Sequence, residues 1–449
     1  MLRLTESIDR LLGAPIEGCA CGRLHRPATG RVALGPGLID SVNDLLPVEL
    51  PRNAALLVLA DSDTESAAGR RVIERLRAGG RTVREAILPR HPHADDITVA
   101  SLRHTSVAAG ASIPDAVIAV GSGTIGDIGK ALAFEWQRPL VTVGTAASMN
   151  GYTSPIVALT VNGLKRTLPS KPPRVLVLDT EVLANAPARM TRAGFGDLIS
   201  KPVSGADWML SHWLGFDSLC PTALSLADEA VSAARTCAAG IGRADRDAVG
   251  TLAAALVVSG FAMDVAGMSS PASGGEHLIS HYLDISAHGW QREPWLHGEQ
   301  VAVGTALSLA LYARLRALGA SRASDAAPLD EDDDEVRRLH AHLDPGARHE
   351  LVQQAAAKRL RVPQRGARRA LYAARWDELW ATLDTQLSAS DGLHHDLALA
   401  GVNTRFDGIA VTPAQAQHTA RYARHMRDRY TVLDFAADLG VAADEVISW

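Results

Sequence analysis

The feature that most constrains the fold is a strand, a glycine-rich turn and a helix that follow one another between residues 115 and 136. The apolar run from Asp115 to Val120 continues directly into Gly121, and a helical pattern from Ile125 to Trp136 comes after the turn. This order is typical of a βαβ unit, in which consecutive strands lie parallel. Further strands are predicted at Ala54 to Ala60, Arg81 to Leu88, Pro139 to Val143 and Arg174 to Leu178, and a further helix from Ser66 to Ala78.

The second half of the chain has a different pattern. From about Pro187 the apolar residues follow helical spacing, which predicts helices over Ala223 to Ile241, Asp247 to Val265 and Val301 to Ala317. A chain of 449 residues is long enough for two or three domains. We therefore predict an α/β nucleotide-type domain over residues 1–187, followed by an all-helical domain over residues 188–449.

Charge and hydropathy exclude some classes of function. The formal net charge of −5 argues against a nucleic-acid-binding protein, because such proteins normally present a basic surface. No apolar run reaches the roughly 18 to 20 residues that span a bilayer. The segment from Met1 to Leu12 lacks the apolar core of a signal peptide. We expect a cytoplasmic protein without membrane insertion.

The glycine-rich turn is a candidate phosphate-binding loop. Gly121, Gly123 and Gly126 match the GxGxxG spacing, and free N–H groups at a helix start attract a pyrophosphate. The alternative is an ordinary turn between a strand and a helix. Asp61 ends an earlier strand, where a carboxylate can bind the ribose hydroxyls and favour NAD over NADP; it can equally cap the next helix.

One carboxylate and two imidazoles form a candidate metal site. Asp197 begins the helical half, His277 and His281 lie four residues apart on one helical face, and His297 starts a later helix. An Asp and two His ligands that leave positions open for substrate suit a catalytic divalent metal. Taken singly, Asp197 can be a helix cap and His297 a turn residue.

Three other segments stand apart from these motifs. Cys19, Cys21 and His25 resemble part of a zinc knuckle, but a zinc site needs a fourth ligand and usually a wider cysteine spacing, so we favour a structural turn. The polar, acidic stretch from Ser321 to Glu335 is expected to be a loop or a solvated helix start. The basic stretch from Lys358 to Arg369 is expected to pack near it.

Six motifs together resemble a known family. They are CACGRLH at 19–25, GSGTIGD at 121–127, VGTAASMNGYTS at 143–154, AGFGDLISK at 193–201, ASGGEHLISH at 272–281 and LHGEQVAVG at 296–304. The chain resembles the sn-glycerol-1-phosphate dehydrogenases, within the superfamily of iron-containing alcohol dehydrogenases, glycerol dehydrogenases and dehydroquinate synthases. The resemblance implies a Rossmann-like N-terminal domain, a helical C-terminal domain and a site in the cleft between them.

The resemblance also implies roles for single residues. The cofactor NAD or NADP would be bound by Asp61, Gly121, Gly123, Thr124, Ile125, Gly126 and Asp127, with Thr145, Ala146, Ala147, Ser148 and Ser154 on the nicotinamide side. One divalent metal, with zinc ahead of nickel or iron, would be bound by Asp197, His277 and His297. His281 would contact the substrate, and we add Lys201 as a candidate for its phosphate. A homodimer is the expected assembly.

Asn150 departs from the family pattern. The family usually has Asp at this position, where it contacts substrate near the metal. Asn keeps the size and hydrogen-bonding capacity of Asp but cannot act as a base. We therefore expect Asn150 to hold a substrate hydroxyl, while the proton leaves through His281 or a water, or else the substrate differs. The chain is also long for the family, so an altered lid or subunit contact is expected around residues 321–395.

Three functions are compatible with these residues. The leading hypothesis is a dehydrogenase that interconverts a small ketone phosphate and its alcohol, namely dihydroxyacetone phosphate and sn-glycerol 1-phosphate or a close analogue. The alternative is a cyclase of the dehydroquinate synthase type, which uses NAD as a prosthetic group. The third is a non-catalytic relative, and the three metal-ligand residues argue against it.

Overall fold

A computed structural model describes residues 2–106, 112–161, 164–325 and 327–448. Its eight strands are β1 Arg31–Gly35, β2 Ala55–Asp61, β3 Thr82–Leu88, β4 Ala116–Gly121, β5 Leu140–Gly144, β6 Ile156–Val161, β7 Leu164–Pro169 and β8 Val175–Asp179. Six of them form a sheet in the order β1-β8-β5-β4-β2-β3, and every neighbouring pair is parallel. The predicted fold class, a Rossmann-like α/β part followed by helices, is confirmed.

Helices pack on both faces of this sheet and form most of the second half of the described chain. They are α1 Leu2–Gly13, α2 Val42–Leu45, α3 Ser62–Thr64, α4 Arg70–Ala78, α5 Asp96–Ser106, α6 Gly123–Trp136, α7 Thr180–Ala184, α8 Ala188–Leu198, α9 Lys201–Trp213, α10 Pro221–Thr236, α11 Ala238–Gly242, α12 Arg246–Ala266, α13 Gly275–Ser286, α14 His297–Arg316, α15 Gly319–Asp325, α16 Asp333–Leu339, α17 Pro345–Lys358, α18 Val362–Ala374, α19 Trp376–Leu387, α20 Leu393–Leu399, α21 Pro413–Tyr422 and α22 Val432–Asp438.

The predicted strands and helices agree with the structure to within a few residues, except that the helix predicted over Ala223 to Ile241 is divided into α10 and α11. Three strands, among other elements, were not predicted. Strand β1 adds to the sheet beside β8, and β6 pairs with β7 as a separate antiparallel hairpin. β1 has only five residues, and none of them is fully buried, so its apolar signal is weak. The hairpin lies outside the parallel sheet and carries Lys165 and Arg166 within β7, which obscures a strand pattern.

The helical half is built around α12. Nearly all of its 21 residues are buried, and Gly267 ends it in a left-handed conformation. Among the described residues it alone is long and apolar enough to cross a membrane, but 94% of its most apolar window is buried in the fold. A helix that is apolar on all sides and enclosed in this way is the core helix of a helical domain.

The first helix packs with the C-terminal helices. Leu4, Ile8 and Leu11 of α1 lie in the same hydrophobic cluster as α10 and α12. The division predicted at residue 187 stays a prediction, but residues before β1 contact the helical half of the molecule.

The charged segments near the C-terminus pair with one another, as expected. The acidic stretch contains the end of α15 and the start of α16, which Asp332 caps; residue 326 lies outside the described residues. Arg359 contacts Asp333 at 2.6 Å, and Arg365 pairs with Asp330.

Candidate metal and nucleotide site

A cluster of one carboxylate and two imidazoles lies where three helices converge. Asp197 comes from α8, His277 from α13, and His297 is the first residue of α14. The candidate ligand atoms of these three residues all lie within 4.8 Å of one another. His277 Nε2 is 3.5 Å from Asp197 Oδ1, and the two imidazole centroids are 5.0 Å apart. The fold thus brings together the three residues predicted to hold a metal.

Glycines allow the helix backbones to come this close. A Cβ atom on Gly298 would lie 1.7 Å from the carbonyl oxygen of Ala193, and one on Gly194 would lie 1.9 Å from that of Ala147. Both distances are far below van der Waals contact. The start of α14 therefore rests on α8, and α8 on the segment after β5, which sets the positions of His297 and Asp197.

Each imidazole of the cluster is oriented by a neighbouring polar group. His277 Nδ1 is 2.7 Å from Glu276 Oε1, and His297 Nδ1 is 3.1 Å from Ser280 Oγ. Such contacts fix the ring and leave Nε2 as the ligand atom, as is usual for metal-binding histidines. Glu276 and Ser280 were not predicted from the sequence, although a Glu directly before a ligand His is a recognisable signal.

Lys201 holds the metal-site carboxylate. Its fully buried ammonium donates to Asp197 Oδ1 at 3.0 Å and to the Asp197 carbonyl oxygen at 2.7 Å, as well as to Ser200 and Ala272. Burial works against the charge on Asp197, but Lys201 and His277 hold the pKa of this carboxyl far below its usual value. The contact predicted between Lys201 and a substrate phosphate stays a prediction, and these bonds support a positioning role.

His281 lies one helical turn after His277 and faces the same cluster. Its ring stacks on His297 with centroids 5.6 Å apart, and its buried Nδ1 has no hydrogen-bond partner among the described residues. Burial, and then the charges of Arg427 and Lys165, lower the pKa of His281 well below its usual value. A neutral imidazole with an unused nitrogen can bind a polar ligand group.

Asn150 contacts the metal site through its backbone. Its N–H donates to Asp197 Oδ2 at 3.1 Å, while its side-chain amide donates to Ser259 Oγ on α12 at 3.3 Å. The residue is 8% exposed. The backbone of Asn150 therefore lies beside the cluster, while its side chain bonds to α12.

The glycine-rich turn lies between β4 and α6. A Cβ atom on Gly121 would lie 2.5 Å from Ile125 Cβ, whereas one on Gly126 would meet no heavy atom within 4 Å. The first amides of a helix have no acceptor within the helix, and here Gly126 N–H makes the first bond, to Ser122 O at 2.8 Å. An open helix start of this kind fits the phosphates of a nucleotide.

Asp127 and Asp61 face other groups of the protein. Burial raises the pKa of Asp127 to about 6, and its carboxylate accepts a hydrogen bond from the backbone of Ala158. Asp61 accepts hydrogen bonds from the N–H groups of Asp63 and Thr64 at 3.0 and 2.8 Å, which is the helix-capping alternative. The predicted contact of Asp61 with a ribose stays a prediction.

The segment from residue 145 to residue 154 joins the two halves of the site. Ser148 Oγ bonds to Ser122 Oγ beside the glycine turn, and Asn150 bonds to Asp197. Thr145, Ala146 and Ala147 are buried along it. Ser154 Oγ accepts a hydrogen bond of 3.0 Å from Lys130, a buried lysine of α6 that also donates to the carbonyl oxygens of Ser154 and Ile156. The role of Lys130 was not predicted from the sequence.

Two cations near His281 were also missed. Lys165 of β7 contacts Asp284 Oδ2 at 2.6 Å, and Arg427 donates to Thr167 Oγ1 at 2.6 Å. Both depress the pKa of His281 through their charge. Lys165 lies in a hairpin that was not predicted, and Arg427 lies near the C-terminus. No sequence motif contains both residues.

Comparisons with known proteins agree on one family. Residues 33–187 match the model of the iron-containing alcohol dehydrogenase family. The glycerol-1-phosphate dehydrogenase [NAD(P)+] of Bacillus licheniformis is 34% identical over 322 residues, which cover 71% of this chain and 78% of the relative. The enzyme of the same name from Aeropyrum pernix is 32% identical over 322 residues, which cover 70% and 88%.

Solved structures share the fold. A probable glycerol dehydrogenase from Sinorhizobium meliloti superposes with a TM-score of 0.59 at 18% identity, over 93% of this chain and 98% of the other. The NADH-dependent butanol dehydrogenase A of Thermotoga maritima gives a TM-score of 0.59 at 15% identity, over 93% and 97%.

Proposed function

The chain belongs to the glycerol-1-phosphate dehydrogenase family, and from this premise we propose that it is a metal-dependent, NAD(P)-linked oxidoreductase that interconverts dihydroxyacetone phosphate and sn-glycerol 1-phosphate or a close analogue. The observation that supports this most directly is the continuity of the site. The segment from residue 145 to residue 154 bonds to the glycine turn at one end and to Asp197 at the other. A nucleotide bound at the glycine turn and a metal bound at the cluster would therefore both contact the same substrate molecule.

The residues of the cluster fit a divalent metal. One carboxylate and two imidazoles, each oriented by a further hydrogen bond, match the donor sets of catalytic zinc, nickel and iron sites, and zinc is our first choice. The Nδ1 of His281, which has no hydrogen-bond partner in the described part of the chain, marks where a ligand group can sit beside the cluster. When bound, the metal polarises the substrate oxygen and the nicotinamide gives or takes the hydride.

The residues of the chain bind and orient the substrate. Lys165 and Arg427 provide positive charge next to His281, so we assign the substrate phosphate to this side of the site. His281, kept neutral by burial, binds the substrate hydroxyl at a ring nitrogen and relays its proton towards solvent. Asn150 supplies a second hydrogen bond but no charge.

A substrate screen tests the proposal. Purified protein is supplied separately with zinc, nickel or iron and mixed with dihydroxyacetone phosphate and either NADH or NADPH, and the loss of absorbance of the reduced cofactor is followed. Steady oxidation of the cofactor is expected, with glycerol 1-phosphate as product. Conversion of the substrate without net change in the cofactor would instead favour the cyclase alternative. No turnover with any of the three metals would contradict the proposed dehydrogenase. The homodimer and the cytoplasmic location stay predictions.

A further inference from the structure

A second group of metal-binding side chains lies far from the first in sequence. Cys19, Cys21, His25 and Cys220 place their ligand atoms within 4.8 Å of one another. We propose that these four residues bind one structural zinc ion, separate from the metal of the catalytic site. The fourth ligand that the segment from Cys19 to His25 lacks is thus supplied by Cys220, about two hundred residues further along the chain.

The distances agree with a tetrahedral zinc site. The Sγ atoms of Cys19 and Cys220 are 3.8 Å apart, and Cys220 Sγ is 3.5 Å from His25 Nε2. Zinc–sulfur bonds of about 2.3 Å and zinc–nitrogen bonds of about 2.0 Å at tetrahedral angles give ligand separations of roughly 3.8 and 3.5 Å. Cys21 Sγ lies closer, at 3.1 Å from His25 Nε2. Three thiols and one imidazole are a common donor set of structural zinc sites.

The loop that carries three of the ligands is closed on itself. Ile16 and His25 exchange backbone hydrogen bonds of 2.7 and 3.1 Å, and Gly22 N–H donates to Cys19 O at 2.9 Å. Gly18 and Gly22 have φ values of 71° and 76°, a conformation that favours glycine. These turns direct both cysteines and the histidine to one side in spite of the narrow Cys-x-Cys spacing.

The fourth ligand lies at the start of a long helix. Cys220 precedes α10 and is fully buried. The backbone N–H of Ala223 points at Cys220 Sγ, and that of Thr222 at Cys19 Sγ. These two hydrogen bonds fix the positions of both sulfur atoms at the start of α10.

A zinc ion at this site would fasten the N-terminal segment to the helical core. Between α1 and β1 the chain has no helix or strand of its own, apart from the bridge between Ile16 and His25. Such a segment has little apolar surface to hold it, and a metal joining positions 19 and 220 closes a very long loop. We therefore expect the ion to contribute to stability and to leave the chemistry of the catalytic site unchanged.

Metal analysis of the full-length protein tests this proposal. Protein produced with zinc and freed of loosely bound metal should hold two zinc ions per chain. Cys220→Ser and His25→Ala should each hold one, and His297→Ala should also hold one because it loses the other ion. Cys237→Ser is the matched control, since Cys237 bonds to Ala234 outside the cluster, and should keep two. Equal zinc content in wild type, Cys220→Ser and His25→Ala would overturn the proposal.

A disulfide between Cys19 and Cys220 is the competing explanation for their proximity. Thiol titration in denaturant with a chelator and no reductant distinguishes the two. A zinc-bound protein yields four free thiols per chain, three from the site and one from Cys237, whereas a disulfide leaves two. Cobalt substitution of the wild-type protein removes any dependence on how the variants fold. The zinc site predicts a thiolate-to-cobalt charge-transfer band, which would be retained in His297→Ala; its absence in the wild type would contradict the proposal.

Discussion

Glu276 Oε1 lies 2.7 Å from Nδ1 of the adjacent His277, whose Nε2 points at the carboxylate of Asp197. The same Glu276 oxygen accepts the N–H of Gly274 at 2.9 Å, so the start of α13 and the ligand histidine are fixed by one carboxylate. A carboxylate behind a metal-binding histidine orients the ring and raises its basicity.

Glu276→Gln is therefore expected to weaken the catalytic metal. The amide keeps the size of the side chain but removes its charge, and losses of about 10- to 100-fold in metal affinity are typical of such changes. Competition with a chromophoric chelator measures the affinity. Glu299→Gln is the control, because Glu299 lies two residues after the ligand histidine His297 but pairs with Arg189. Equal effects of the two substitutions would contradict the role of Glu276.

Gly298→Ala is expected to destabilise the fold and the metal site together. The added Cβ would lie 1.7 Å from the Ala193 carbonyl oxygen, and a backbone atom cannot move aside as a flexible side chain can. Overpacking of this kind costs about 1–3 kcal/mol. Urea unfolding measures the loss in free energy of unfolding, and metal titration measures the displacement of His297.

Gly366→Ala in α18 is the matched control for that substitution. Its Cβ would meet no heavy atom within 4 Å, so the change is expected to stabilise the protein by about 0.5–1 kcal/mol through helix propensity. The test is whether the two substitutions change the free energy of unfolding in opposite directions. If both destabilised the protein, crowding at Gly298 would not explain the effect of Gly298→Ala.

The sequence alone was sufficient to predict the glycine turn, the parallel sheet and the grouping of Asp197, His277 and His297. These features depend on local patterns or on residue types that chemistry requires. The sequence could not predict the roles of Lys130, Lys165 and Arg427, because these roles depend on contacts between segments that are distant in sequence and share no motif. Three members of the cysteine cluster could be read from the sequence. The fourth, Cys220, could not, because only the packing of α10 brings it next to them.

Arg427→Gln is expected to impair binding of a phosphorylated substrate specifically. Loss of one hydrogen bond to a charged group costs about 1.5–3 kcal/mol, which corresponds to a roughly 10- to 150-fold rise in KM for dihydroxyacetone phosphate. Turnover of dihydroxyacetone, which has no phosphate, should change little. Arg166→Gln is the control, because Arg166 lies on the hairpin but pairs with Glu350. If both ketones were affected equally, the phosphate would have to be held elsewhere.

A cluster of histidines in the C-terminal helices predicts a loss of stability in mild acid. His340 Nε2 is 2.9 Å from His425 Nδ1, and His418 Nε2 is 2.9 Å from Tyr282 OH. Burial, and then the neighbouring histidines, lower the pKa of His418 to about 4. Burial lowers the pKa of His425 to about 4 as well, against the opposing effect of Glu331.

These histidines are neutral in the folded protein and take up protons on unfolding below their ordinary pKa of about 6.5. Their contribution to stability is complete above pH 6.5 and is lost as the pH falls through 4, at up to about 1.4 kcal/mol per pH unit for each proton. His418→Gln should make the decline in melting temperature between pH 6.5 and 4 shallower, whereas His104→Gln on exposed α5 should not. Parallel declines in all three proteins would exclude the cluster as the cause.

Asn150→Asp is expected to raise the rate of glycerol 1-phosphate oxidation. The backbone N–H of residue 150 donates to Asp197 at 3.1 Å, so the residue lies beside the metal cluster. A carboxylate at this position can accept the substrate proton that an amide cannot. A positioned base contributes 10²- to 10⁴-fold, so with His281 already present an increase of about tenfold in kcat is expected. Ser259→Ala is the control, because it removes the hydrogen bond of the Asn150 amide without adding charge. If Asn150→Asp left kcat with glycerol 1-phosphate unchanged or lower, the amide would be suited to a different alcohol. The same variant, assayed across the substrate screen, would then identify the alcohol whose turnover depends on Asn150.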